Sequence, residues 1–242
     1  VSRAATPLVQ VSIDHIVSEG RDVKTFVLEP APGPESKPLD YQAGQFLTLR
    51  IPVAADRPVL RSYSISTCPV SDPRLAVTVK RNPGTGSNWL YERAEPGMTL
   101  DAIPPTGHFT LDDSDSEILL FAAGVGITPL YSLCKYALAA SDRKVYLHYS
   151  GRRRDTTPFI AALEALERAN RGRMRLALRL TETDGRLHAS AVRNIVSAMD
   201  APTSYVCGPA DYKAMVIDAL VAAGRPPGSI RTESTGPIPG TS

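Results

Sequence analysis

Only three cysteines occur in the chain, Cys68, Cys134 and Cys207, odd in number and far apart. That argues against a disulfide framework, fits a reducing, cytoplasmic setting, and excludes a four-cysteine iron–sulfur site within this chain. No apolar run approaches the ~20 residues that a membrane span needs. No charged segment followed by an apolar core opens the chain, so no secretory signal is visible. It starts Val1-Ser2-Arg3 without Met, as a trimmed chain or a piece of a longer one would. Charge of one sign is also scarce. The net charge is +2, and the single basic run is Arg152-Arg153-Arg154, which makes no electrostatic case for nucleic acid. No histidine and cysteine set has metal spacing, so no metal site is expected. No Gly-x-Ser-x-Gly elbow appears.

What is present is an ordinary globular composition, 43% apolar and 21% charged, over 242 residues, enough for two domains. The first half reads as strands. Leu8–Ile16 and Val23–Leu28 alternate on either side of a turn at Gly20. Four prolines then mark residues 30–40 as a loop, and Leu47–Ile51, Pro58–Thr67, Leu75–Lys80 and Gly97–Ile103 follow. Six short strands with turns between them predict a closed antiparallel barrel, because closure removes sheet edges. One helix, around Asn88–Ala94, interrupts them after Pro83-Gly84-Thr85-Gly86-Ser87. A glycine-rich turn with Ser at the N-cap presents N–H groups at the positive end of a helix dipole. It is an anion site or simply a capped helix.

The pattern changes after Asp112-Asp113-Ser114. Glu117–Gly124 is a continuous apolar run, as in a strand buried on both faces. Strand patterns at Lys144–Ser150, Met174–Thr181 and Ser204–Gly208 then alternate with helical patterns at Thr128–Ala140, Pro158–Ala169, His188–Met199 and Ala210–Ala223. Pro158 is expected in the first helical turn. This alternation predicts a parallel-sheet, Rossmann-like nucleotide-binding domain. The expected division is 1–112, 113–236 and a tail or linker at 237–242.

Three stretches carry candidate chemistry. Arg61-Ser62-Tyr63-Ser64 places Arg61 and Tyr63 on one strand face with small hydroxyls on the other. A guanidinium can grip a phosphate bidentately, a phenol can stack on a flat ring, and the Ser64 hydroxyl can bond a ring nitrogen, a set that suits a flavin. Taken alone, an amphipathic strand with a surface arginine is the better reading. Gly124-Val125-Gly126-Ile127-Thr128-Pro129 is a strand-to-helix turn suited to a pyrophosphate, or a tight turn that binds nothing. Cys207-Gly208-Pro209 ends the last parallel strand at the carboxyl edge of the same sheet, where open α/β sheets bind ligands. A buried core cysteine is the plain alternative.

In this order, with Gly86-Ser87-Asn88-Trp89-Leu90 and Val79-Lys80-Arg81 between them, the motifs resemble the ferredoxin–NADP reductase superfamily over roughly residues 8 to 236, and most closely the reductase modules of flavohaemoglobins and oxygenases. The resemblance implies that Arg61 holds the flavin phosphate, that Tyr63 stacks on the isoalloxazine, and that Ser64 bonds near its N5. It implies that Ser62, Val79 and Lys80 line the cofactor and that Gly86, Ser87 and Asn88 hold its pyrophosphate. Gly124, Gly126, Ile127, Thr128 and Pro129 would face a nicotinamide nucleotide. Cys207, Gly208 and Pro209 would sit by the nicotinamide. Ser64, Cys207 and Glu233 are the expected catalytic residues. The Ser-Asn-Trp-Leu form favours FAD over FMN. Arg152 and Arg153 follow the second parallel strand, where a 2′-phosphate would lie, which leans toward NADPH over NADH; a solvated turn is the alternative.

One departure from the family pattern stands out. Its members commonly end with an acidic residue and then an aromatic that covers the flavin. Here Glu233 is followed by Ser234-Thr235-Gly236, with no aromatic beyond. The expected function is an NAD(P)H-dependent flavin oxidoreductase of ferredoxin reductase type. It would pass electrons to a one-electron acceptor: a [2Fe–2S] ferredoxin, a fused iron–sulfur domain, an oxygenase component or a haem protein. The alternative is a flavin-binding electron-transfer subunit or redox sensor without activity of its own.

Overall fold

The structure, a computed structural model, describes residues 8–33, 36–54, 57–82, 86–200 and 202–233. The expected turn residues Pro83-Gly84-Thr85, the stretch after Glu233 and the expected tail 237–242 lie outside them.

Six antiparallel strands form the first unit: β1 (Val9–Gly20), β2 (Val23–Pro30), β3 (Phe46–Ile51), β4 (Val59–Ser64), β5 (Leu75–Lys80) and β6 (Thr99–Thr106), in the order β4-β3-β6-β1-β2-β5. The two end strands are brought together where Ile65 bridges Val77 and the Ser66 amide donates to the Ala76 carbonyl. The sheet thus curls into the expected barrel. Period-two alternation fills its inside: Leu47, Leu49 and Ile51 of β3 and Leu75, Val77 and Val79 of β5 all point into one core. Along its length β4 pairs only with β3, so its other backbone edge stays open. Helix α1 (Gly86–Arg93) packs its buried Leu90 onto the same core.

The second unit is a parallel sheet of β7 (Ile118–Ala123), β8 (Val145–Gly151), β9 (Met174–Leu180), β10 (Thr203–Cys207) and β11 (Ile230–Thr232), in the order β11-β10-β7-β8-β9. β7 and β10 are buried at every position; β7 is an unbroken apolar run, while β10 also buries Thr203 and Ser204. One face carries α2 (Ile127–Ala140) and α3 (Ile160–Ala169) over a core with Ile118, Leu120 and Leu147. The other carries α5 (Ala189–Ser197) and α6 (Ala210–Ala222) over Leu119, Phe121 and Val206. A short helix, α4 (Thr181–Asp184), follows β9 where the sequence reads as strand and loop. Pro158 does not enter α3. Phe159 precedes the helix at φ 62, and its ring stacks on Tyr131 with centroids 4.7 Å apart. The chain therefore turns after the proline, and the helix begins at Ile160.

The two units are fastened beside the cleft that separates them. The Ser132 hydroxyl of α2 donates to the Thr67 carbonyl at 2.5 Å, and Lys135 pairs with Asp72, whose carboxylate also accepts the Cys68 amide at 2.6 Å. Ala43 and Phe109, from the barrel half, pack into the core beneath α2. Arg143 binds the connecting segment through the Asp112 carboxylate (3.0 Å) and the Ser116 carbonyl (2.6 Å). No described helix is long and apolar enough to cross a membrane.

Candidate active site between the two sheets

A cleft of about 630 Å³ opens where the free edge of β4 faces the carboxyl ends of β7 and β10. From the barrel side it is lined by Arg61, Ser62, Tyr63 and Ser64 of β4, by Thr78 and Lys80 of β5, and by Gly86 and Ser87 at the start of α1. From the other side come the turn Gly124-Val125-Gly126 with Thr128, the Cys207-Gly208-Pro209 turn, and Glu233.

Ser64, Cys207 and Glu233, far apart in sequence, converge here. The Ser64 hydroxyl donates to Glu233 Oε1 at 2.6 Å, and the Cys207 thiol donates to Glu233 Oε2 at 3.2 Å. Lys213 Nζ donates to the Glu233 carbonyl at 3.2 Å and anchors the end of β11. Burial, reinforced by the Glu233 carboxylate, pushes the Cys207 thiol well above its usual range, so it remains a neutral thiol rather than a nucleophile.

The glycines have a steric task. A Cβ on Gly126 would stand 2.6 Å from the Cys207 carbonyl oxygen, so the β7 turn can lie against the end of β10 only without a side chain. Gly124 takes φ +56, and its carbonyl lies 3.2 Å from the Tyr149 hydroxyl. The Thr128 hydroxyl closes the turn by donating to the Val125 carbonyl at 2.5 Å. On the barrel side, a Cβ on Gly86 would approach Arg61 Cγ to 2.7 Å.

These residues fit a flavin. The buried Tyr63 hydroxyl has no hydrogen-bond partner among the described residues, although it lines an open cleft; burial pushes its ionisation well above the usual phenol range. A buried polar group left unpaired is costly, and a bound polar ligand would supply the missing partner.

Several expected residues stand elsewhere. The Val79 side chain points into the barrel core, and its neighbour Thr78 faces the cleft instead. Strict alternation along β5 holds the signal that identifies Thr78. Asn88 accepts a hydrogen bond from Arg81 at 3.2 Å rather than lining the cleft. The fully buried Ile127 side chain anchors the start of α2 in the core, and Pro129 is also buried there. Ser62, by contrast, does line the cleft, and its hydroxyl shares a 2.8 Å hydrogen bond with Thr48 across the β3–β4 pair. Arg152 and Arg153 are exposed beyond β8, outside the cleft lining.

Residues 10–111 match the oxidoreductase FAD-binding domain family and residues 120–218 the oxidoreductase NAD-binding domain family. The ferredoxin reductase component of 3-ketosteroid-9-alpha-monooxygenase from Mycolicibacterium smegmatis is 35% identical over 93% of this chain and 65% of its own length. Flavohemoprotein A of Dictyostelium discoideum is 29% identical over 93% of this chain and 60% of its own. The chain thus spans less than two thirds, 60–65%, of the length of these curated relatives. Among solved structures, phthalate dioxygenase reductase, described as a modular structure for electron transfer from pyridine nucleotides to [2Fe–2S], superposes with a TM-score of 0.80 at 25% identity, covering 95% of this chain and 68% of that one. The flavohaem-like FAD/NAD-binding domain of a Vibrio cholerae nitric oxide dioxygenase shares the fold, with a TM-score of 0.76 at 23% identity over 95% of this chain and 99% of its own. With one FAD-binding and one NAD-binding oxidoreductase domain in this order and this fold, the chain belongs to the ferredoxin–NADP reductase superfamily.

Proposed function

We propose that the protein takes reducing equivalents from NAD(P)H onto FAD and passes them to a one-electron acceptor, with the domain boundary near residue 113. The observation that carries this reading is the Ser64–Glu233–Cys207 contact, in which one carboxylate in the cleft accepts from the barrel's Ser64 hydroxyl through one oxygen and from the Cys207 thiol through the other. FAD, when bound, supplies the exchange between a two-electron donor and one-electron acceptors.

The chain's own residues bind and orient. Arg61 pairs with a flavin phosphate, and the amides at Gly86 and Ser87, at the start of an eight-residue helix, receive the pyrophosphate. Tyr63, Thr78 and Lys80 would hold the flavin ring. The Gly124–Gly126 turn would take the pyrophosphate of the nicotinamide nucleotide. The neutral Cys207 thiol and the Gly208-Pro209 turn would hold its nicotinamide end. Glu233 fixes the Ser64 hydroxyl and keeps a carboxylate beside the reacting atoms.

The names of the relatives support an acceptor of the ferredoxin or oxygenase kind. A [2Fe–2S] centre, on a fused domain or a separate ferredoxin, is the acceptor we favour. An anaerobic absorbance titration of the purified protein tests the reading. A flavin spectrum bleached by NADH or NADPH is the expected result. A bound flavin that neither nucleotide bleaches would sink it.

A further inference from the structure

The sheet order gives a bound dinucleotide a direction. The nicotinamide end belongs at Cys207, at the end of β10 beside the barrel, and the pyrophosphate at the turn after β7. β8 and β9 lie on the far side of β7, so the adenosine half runs over their carboxyl ends. What stands there decides whether the adenosine ribose can carry a 2′-phosphate.

Three consecutive arginines follow β8 and would suit such a phosphate, but the structure engages two of them already. Arg153 forks onto Asp155, with Nε and Nη2 at 3.0 and 3.2 Å from its two carboxylate oxygens, and its Nε lies 3.5 Å from Glu182 Oε2. Arg154 turns away to Glu164 on α3. The ends of β8 and β9 are tied together by the Glu182 amide, which donates to the Arg152 carbonyl at 3.2 Å, so Asp155 and Glu182 flank a single guanidinium. Arg179 of β9 is also occupied, donating to the Asp184 carbonyl at 2.6 Å. Arg152, Arg153, Asp155 and Glu182 together sum to zero formal charge.

We infer that the protein uses NADH in preference to NADPH, and that Asp155 and Glu182 determine this choice. The inference rests on the reading above that this half binds a nicotinamide nucleotide. A ribose diol presents two O–H donors, which carboxylates accept well. A 2′-phosphate presents close to two negative charges. It would have to displace Asp155 from the Arg153 fork and then remain beside both carboxylates. Exposed ion pairs are individually weak, so the discrimination comes from repulsion by the two acids rather than from the pairs themselves.

The test is calorimetric titration of the flavin-loaded protein with ADP-ribose and with 2′-phospho-ADP-ribose, alongside flavin reduction by NADH and NADPH. ADP-ribose is expected to bind at least about tenfold tighter, with the same order in the reduction kinetics. The double variant Asp155→Ser, Glu182→Ser should keep its flavin and bring the two ligands within about threefold of each other, or reverse them, because Arg153 is released. Equal or tighter binding of the 2′-phosphorylated ligand by the unaltered protein would overturn the inference. So would a double variant whose ratio stays where it was. If neither ligand binds and neither nucleotide reduces the flavin, nucleotide binding itself falls, and the inference with it.

Discussion

Ser64 and Glu233 stand 169 positions apart and share a 2.6 Å hydrogen bond across the cleft. The second carboxylate oxygen takes the Cys207 thiol, so the same acid touches both β4 and the end of β10. Glu233→Gln keeps the shape but replaces a charge-assisted acceptor by a neutral one. Loss of one such bond is worth about 1.5–3 kcal/mol, or roughly a 10- to 100-fold change in rate where it is made at the reacting centre. Stopped-flow reduction of the flavin should slow by that order while the flavin absorbance per protein stays the same. An unchanged rate would show that the acid does not act on the transfer.

Tyr149 supports the Gly124–Gly126 turn. Its hydroxyl lies 3.2 Å from the Gly124 carbonyl and 3.2 Å from the Pro158 carbonyl, joining the left-handed glycine to the bend before α3. Burial holds the phenol neutral far above its usual range, so it is a donor throughout the working range of pH. Tyr149→Phe should cost about 1 kcal/mol of unfolding free energy, the value of one neutral hydrogen bond. It should also raise the KM for the nucleotide more than it lowers kcat, with flavin affinity unaltered. A variant that loses stability while KM holds still would make Tyr149 a core residue and nothing more.

How far the site could be read from the sequence depended on what each residue type signals locally. The strands of both sheets were legible from alternation or apolar runs except β11, which only the family resemblance indicated, and the cleft's glycines were legible from their place between strand and helix. The meeting of Ser64 with Glu233 was not carried by any local pattern, because it arises from packing between two domains; only the family resemblance pointed to it. Resemblance also over-reached at Val79, Asn88, Ile127 and Pro129. They sit inside the motifs, but packing directs Val79, Ile127 and Pro129 inward and turns Asn88 to Arg81. The arginine run after β8 is different again. Its charge and the nearby Asp155 are visible in the sequence, while the approach of Glu182, from α4 after β9, is visible only in the fold.

His148 carries a prediction about pH. It lies in the middle of β8, 4% exposed, against Phe121 at 5.8 Å between ring centroids, and its Nδ1 has no partner among the described residues. Burial, with the nearby Arg179 charge, pulls its pKa from 6.5 down to about 4. The folded protein therefore holds a neutral imidazole where the unfolded chain binds a proton more readily. The sign follows from linkage: stability is complete above about pH 6.5, falls as pH drops through that value, and reaches its full loss below about pH 4. A shift of this size corresponds to roughly 3 kcal/mol, an order-of-magnitude figure. Urea unfolding at pH 7.5 and pH 4.5 should show the loss in the unaltered protein. In His148→Leu the histidine's share of that slope should vanish, since no proton remains to be taken up there. An identical pH slope in the two proteins would mean that His148 is already solvated or protonated in the folded state.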